Sequence, residues 1–140
     1  MDKENYKHIV RIANIDLPGE NVLRFAMQKI RGIGVNLADV ICEISGVNKH
    51  GRTGELSDQE VAKLNEVITS MNTSGKIPSW MFNRKKDFET GEDMHVITGI
   101  LNFVKDNDIR RLKKITAYRG VRHLKGLTVR GQRTRSNFRS

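Results

Sequence analysis

The stretch Tyr118 to Ser140, YRGVRHLKGLTVRGQRTRSNFRS, holds seven Lys or Arg residues, one His and no carboxylate. Such groups hold phosphate: cations with no acid to pair with neutralise a polyanion and release its counterions. The run before it, IRRLKKITAYR from Ile109, sets Arg110, Arg111, Lys113 and Lys114 around a thin apolar line. From Ile109 onward there are eleven basic residues and no Asp or Glu, a formal +11. Fourteen basic and sixteen acidic residues precede that point, giving −2, and the chain as a whole carries +9. The charge is therefore gathered at one end, the distribution of a docking arm on a nearly neutral body. A polyanion is the expected partner, nucleic acid first and an acidic membrane surface second. A run rich in Arg and Gly also has the composition of a solvated, disordered segment, and it is expected to lack a fold of its own in the free protein.

A second candidate lies in IRGIGVNLA, Ile30 to Ala38. Its centre, Ile30-Arg31-Gly32-Ile33-Gly34, is an apolar-x-Gly-apolar-Gly turn between two expected helices, a pattern that resembles helix-hairpin-helix nucleic-acid binders. Gly32 and Gly34 would permit positive φ and close backbone approach. Ile33 would plug the space between the helices. Backbone N–H groups at the start of the second helix would then face outward as an anion site that holds phosphate without reading bases. A plain tight turn between helices has the same spacing, and both readings stand at this point.

Other chemistry finds little footing. The single cysteine, Cys42, sits among apolar neighbours in VICEI and reads as a small core residue. It can form no disulfide within the chain, which fits a reducing compartment. His8, His50, His95 and His123 are scattered without pair spacing and give no metal signature. His123 has no nucleophile near it in sequence, so a stacking or phosphate contact suits it better than base catalysis. No paired carboxylates, P-loop, Ser/His/Asp or Cys/His arrangement occurs, so no catalytic residue, metal or cofactor is expected. The N-terminus, MDKENYKH, lacks the apolar core of a signal peptide. The apolar stretch near Val96 to Val104 is far short of a membrane span. The basic end also lacks the bulky apolar residues of a membrane-surface helix. A soluble intracellular protein without a membrane partner is expected.

These groups must be positioned by a helical body. HIVRIANID, from His8, reads as a short extended segment, and LPGE, Leu17 to Glu20, as a turn. Val22, Phe25, Ala26 and Ile30 fall at helical spacing, with Asn21 as N-cap and Gly32 as the stop. A second helix opens with Asn36 as cap, has Leu37, Val40, Ile41 and Ile44 on its apolar side, and stops at Ser45. Ser57-Asp58-Gln59-Glu60 is a capping box and starts a third helix, buried along Val61, Leu64 and Val67/Ile68, to about Met71. The irregular stretch that follows holds Ile77, Trp80, Met81 and Phe82, too apolar for a linker; they are expected to pack on the helices or on a partner rather than stack on bases. A long helix is expected from about Asp93 to Ala117, with KDND, Lys105 to Asp108, as a kink or a solvated stretch. The expected division is a helical body over 1–92, the long helix over 93–117 and an extended arm over 118–140.

The order of residues at the basic end carries more than its charge. Arg119-Gly120-Val121-Arg122-His123, then Gly126-Leu127, then Val129-Arg130-Gly131-Gln132-Arg133-Thr134 closely resembles the C-terminal signature of the small-subunit ribosomal protein thirteen family, called eighteen in eukaryotes. The resemblance covers nearly the whole chain and includes the Gly32–Gly34 hairpin and the basic helix RRLKKI. KIPSWMFNRKKDFETG, Lys76 to Gly91, resembles the archaeal and eukaryotic branch. The resemblance implies a mainly α fold, a helix–two-turn–helix body with one long helix and an extended basic C-terminal arm. It implies a cytoplasmic, non-enzymatic, structural constituent of the head of the small ribosomal subunit. Its implied partners are small-subunit rRNA, large-subunit rRNA and large-subunit ribosomal protein five across the subunit bridge, small-subunit ribosomal protein nineteen, and P-site tRNA at the arm. The chain stops at Phe138-Arg139-Ser140, where many members continue with more Lys and Arg, and this departure bears on the tRNA approach. On this reading Arg110, Arg111, Lys113, Lys114, Arg119, Arg122, His123, Lys125, Arg130, Arg133, Arg135 and Arg139 contact rRNA, while Gly32, Ile33 and Gly34 give backbone contacts. Gly120, Gly126 and Gly131 would let the arm bend close to RNA. The alternative is a helix-hairpin-helix DNA-binding module, which accounts for the hairpin and the charge but not for the signature.

Overall fold

The computed structural model describes residues 6–138. The chain divides into two compact units, the first ending at Thr98 and the second beginning at Gly99.

The first unit opens with an antiparallel hairpin, β1 (Ile9–Ile12) and β2 (Ile15–Pro18), in the register Ile12 to Ile15 and Val10 to Leu17. Ala13 and Asn14 connect the strands with φ of 49° and 61°. Two left-handed central residues make the connection whose twist suits a two-residue hairpin. Val10, Ile12 and Leu17 point inward. Leu17 and Pro18, expected in a turn, belong to β2, and only Gly19 and Glu20 turn.

Helix α1 is short, Leu23–Ala26, and tightens into a 3-10 turn over Met27–Lys29. The sequence periodicity predicts one longer helix capped by Asn21. Instead Val22 is extended and bridged to Arg52. The first helical N–H groups, of Leu23 and Arg24, donate to the Gly51 and Lys49 carbonyls. A neighbouring loop thus does the work of a cap. The carbonyl of Asn21 accepts from the backbone and hydroxyl of Thr53, both at 2.9 Å.

Helix α2 (Val35–Ser45) and helix α3 (Asp58–Thr69) complete the packing layer. The Ser57 capping box forms as expected: Ser57 Oγ accepts from the Glu60 N–H at 3.3 Å, and Glu60 accepts from the Ser57 N–H at 2.9 Å. Helix α2 begins after Gly34, with no capping side chain, so Asn36 is not its cap. Ile12, Leu17, Leu23, Met27, Ile30, Ile41 and Leu64 are fully buried, and each such side chain contributes roughly 1.5–3 kcal/mol by leaving water. Cys42 belongs to this core, 3.9 Å from the Met27 sulfur, and burial pushes its thiol up to about 11.

Between α3 and the second unit the chain folds back without long helix or strand. Ile77 is buried, and Met81 and Phe82 are half-buried on the core, as their apolar character predicts; Trp80 is not. The residues from Met94 to Ile97, expected to start the long helix, are not helical. Their backbone groups are taken by side chains distant in sequence. Asn72 accepts from the His95 N–H at 2.7 Å and donates to its carbonyl at 3.1 Å. Asn83 does the same for Val96, at 3.0 and 2.7 Å. The His95 ring is fixed in turn: Nδ1 accepts from the Asn83 N–H at 3.2 Å, and Nε2–H donates to the Gly32 carbonyl at 2.8 Å. That pairing requires a neutral imidazole, and burial holds the His95 pKa below its ordinary value.

Helix α4 (Thr98–Lys114) opens at the last residue of the first unit and otherwise belongs, with helix α5 (Tyr118–Leu124), to the second. Lys105 to Asp108 form no break in α4; they are a solvated stretch within it. The chain from Tyr118, expected to be extended throughout, opens with the seven-residue α5. The reason is a close approach at Gly120, described below.

Two predictions follow from the His95 clamp. Unfolded His95 titrates near 6.5 and the folded residue lower, so the native state binds fewer protons between those values. The clamp's contribution is complete above pH 6.5 and is lost as pH falls through the folded pKa. Urea denaturation of wild type and His95→Gln across that range should show a steeper acid-side loss in wild type; parallel curves would contradict the clamp. Gly32→Ala should cost about 1–3 kcal/mol from left-handed strain alone, because Gly32 has φ +100° and an added Cβ would lie 2.7 Å from the Val96 carbonyl oxygen. Gly34→Ala should cost less, since beyond its own and its neighbours' atoms nothing lies within 4 Å of its Cβ position.

Candidate nucleic-acid interface

The Ile30–Gly34 turn has part of the expected geometry. Ile33 is buried at 4% exposure and fills the space beneath the turn. Gly32 is required both by its φ and by the approach of Val96 and Ile97. Gly34 departs from the expectation: its φ is −96° and the space around it is open. Its lack of a side chain leaves the first turn of α2 accessible rather than permitting a strained backbone. The N-terminal N–H groups of a helix, together with its dipole, favour an anion at such a place.

Several cationic residues of the second unit are set on two helices joined by a sharp corner, and Arg130, Arg133 and Arg135 follow in the segment after α5. Helix α4 ends through Thr116, at φ +54°, with the Ala117 N–H returning to the Leu112 carbonyl at 3.2 Å. Helix α5 then starts from Ala117 and turns back on α4. At Gly120, a Cβ would sit 2.1 Å from the Leu112 carbonyl oxygen and 2.7 Å from the Lys113 nitrogen. No residue with a side chain fits there without moving one helix off the other. Glycine at this position thus serves helix packing, not the bending of an extended arm. Gly126, at φ +69°, closes α5, and the Leu127 N–H returns to the Arg122 carbonyl at 2.9 Å.

The basic residues of this unit differ in exposure and in contacts. Arg110, Lys113, Lys114, Arg119, Lys125, Arg130, Arg133 and Arg135 are exposed. Lys113 and Lys114, with Arg111, occupy the last turn of α4, where cations favour the helix dipole by about 0.3–1 kcal/mol. Arg111 is half-buried and lies 3.6 Å from Asp108, the last acid before the acid-free run. Arg122 is turned to structure: its Nε–H donates to the Thr128 carbonyl at 2.8 Å, and its guanidinium lies 5.8 Å from the Tyr118 ring centre. It ties the segment after α5 back to the helix. His123 is half-buried. Arg139 lies outside the described residues.

Sequence spacing does not disclose one further feature. An open groove of about 580 Å³ runs beside the Gly32–Gly34 turn, walled by Val35, Asn36 and Leu37 on one side and by Trp80, Met81, Asn83 and His95 on the other. Trp80 is 70% exposed there. Its apolar neighbours in sequence pointed to packing, and only its position on the short turn Ser79–Met81 turns it outward.

Comparison with known proteins agrees with the signature in the basic end. The family described as ribosomal protein S13/S18 matches residues 11–140. Among relatives, a small ribosomal subunit protein uS13 of Methanopyrus kandleri is 49% identical over 140 residues, covering 99% of this chain and 93% of its own length. Proteins of the same name from Methanocaldococcus jannaschii and Staphylothermus marinus are each 45% identical, covering 99% and 96% of this chain and 92% and 89% of their own. The helix-hairpin-helix DNA-binding alternative shares the turn but not a match of this extent. Likeness at this identity, from the β-hairpin through the basic end, means that the chain belongs to the ribosomal protein S13/S18 family of structural, non-enzymatic proteins.

Proposed function

We propose that the chain is held in the small ribosomal subunit by its second unit, whose α4–α5 corner lays a set of cations on the phosphates of small-subunit rRNA. One observation carries this reading: Gly120 lets α5 pack on the end of α4, so cations from Arg110 to Lys125 belong to one folded element with no acid from Ile109 onward. Arg110, Lys113, Lys114, Arg119, Lys125, Arg130, Arg133 and Arg135 hold phosphate or sugar, with Arg111 and His123 at the margin. Arg122 acts through the Thr128 tie and the shape of the corner. These are contacts of position and not of base reading. The Gly32–Ile33–Gly34 turn adds backbone contacts from the first unit.

The finer reading rests on the family resemblance. The chain lies in the subunit head beside small-subunit ribosomal protein nineteen. Its body bridges to large-subunit rRNA and large-subunit ribosomal protein five, and its C-terminal segment approaches P-site tRNA. It works as a cytoplasmic scaffold in translation.

Truncation after Ala117 should abolish stable incorporation into small subunits on sedimentation of cell extract; normal incorporation would sink the assignment. Binding of the chain to small-subunit rRNA should weaken steeply with salt. Lys113→Gln should reduce the slope of log K against log salt by roughly 0.7–0.9, the share of one phosphate contact. Arg122→Gln should change that slope less, while destabilising the segment after α5. Equal slope changes for the two variants would contradict the division of roles.

A further inference from the structure

The groove beside the hairpin has no part in the phosphate contacts of the second unit. Its volume, about 580 Å³, lies within the roughly 300–1,000 Å³ typical of small-ligand sites. None of its lining residues is acidic. Its outer edge is the exposed ring of Trp80, with the thioether of Met81 beside it. Across the groove stands the exposed amide of Asn36, which the helix start at Gly34 leaves out of capping. The chain leaves the groove at Asn83 and passes directly into Arg84, Lys85 and Lys86, of which Lys85 and Lys86 are exposed. Two lining residues, His95 and Asn83, are tied by hydrogen bonds to the Gly32 carbonyl and to Val96.

We propose that this groove receives one unpaired base of RNA, stacked on Trp80 and met at its edge by the Asn36 amide. The inference rests on the rRNA-binding reading above and adds a base-accepting site to it. Several features favour a base over a protein segment. A peptide groove needs several apolar anchors, whereas this one presents a single large exposed aromatic surface, suited to one planar ring. An exposed indole face gives stacking energy to any base, and an amide side chain pairs with a base edge. The absence of acids and the neighbouring lysines suit a phosphate backbone entering and leaving the site. The groove is also continuous with the hairpin through Gly32 and Gly34.

Trp80 is the sole tryptophan of the chain, so its fluorescence reports the site directly. The full chain is titrated with two RNAs of equal charge, a stem with an unpaired adenine loop and a blunt duplex. Both should bind through the basic end, and only the first should quench Trp80. Trp80→Ala should weaken binding of the unpaired RNA by roughly five- to hundredfold and leave the duplex unchanged. Trp80→Phe should lose less, because a phenyl ring still stacks. Since Trp80 is exposed, both variants keep the fold, which circular dichroism checks. Binding of both RNAs with equal quenching, or equal affinity of Trp80→Ala and wild type, overturns the inference but leaves the phosphate reading intact. Failure of either RNA to bind overturns both. A blue-shifted Trp80 emission in assembled subunits that survives RNA digestion assigns the groove to a protein partner and overturns the proposal.

Discussion

The functional reading depends on the contact between Gly120 and the Leu112 carbonyl. The Cβ that any other residue would place there lies 2.1 Å from that oxygen, well inside the distance at which two atoms repel. Glycine alone lets the first turn of α5 approach the Leu112–Lys113 backbone at the end of α4. The consequence is electrostatic. Arg110, Lys113, Lys114 and Arg119, which would otherwise lie on a flexible chain and each cost ordering entropy on meeting RNA, are held on two joined helices. The Arg122 tie to Thr128 extends this order past the helix end. Arg122 thereby holds the segment that follows α5 to the helix through its Nε–H.

The first unit achieves rigidity differently. Its core is hydrophobic, but the hairpin that faces outward is held by amides and one imidazole. Asn72 and Asn83 each take both backbone groups of a neighbouring residue, and His95 passes the constraint to Gly32. His95 is buried while Asn72 and Asn83 lie at the surface, and the groups are mutually paired, the condition under which a polar network specifies one arrangement. The turn beside α2 is therefore a fixed shape. A ligand that matched it would lose little affinity to reorganisation.

How far the sequence disclosed all this follows from the range of each interaction. The Ser57–Glu60 capping box, the burial of Cys42, the Ile33 plug and the apolar stripe through Leu64 depend on neighbours within a turn or two, and spacing reveals them. The true length of α1 was hidden because its first N–H groups are satisfied by carbonyls of residues 49 and 51. The start of α4 at Thr98, not Asp93, was hidden because Asn72 and Asn83 compete for the helical donors of His95 and Val96. Helix α5 is not legible because its composition matches disorder, whereas its start depends on the approach of Gly120 to the Leu112 backbone. The positive φ and close backbone approach that the spacing predicts for both glycines belong to Gly32 alone. The basic residues themselves are legible, but the exposure of most of them and the Arg122 bond to Thr128 need coordinates.

The central claim is that rRNA is held by a folded corner and not by charge alone. Gly120→Val tests it most directly, because it disrupts the corner and leaves every charge in place. Affinity for small-subunit rRNA would be measured over a range of salt for this variant and wild type. The account predicts weaker binding at every salt concentration, with helical signal lost from residues 118–124 of the free variant. Unchanged affinity with that helix lost would show that the corner is dispensable, and would contradict the account.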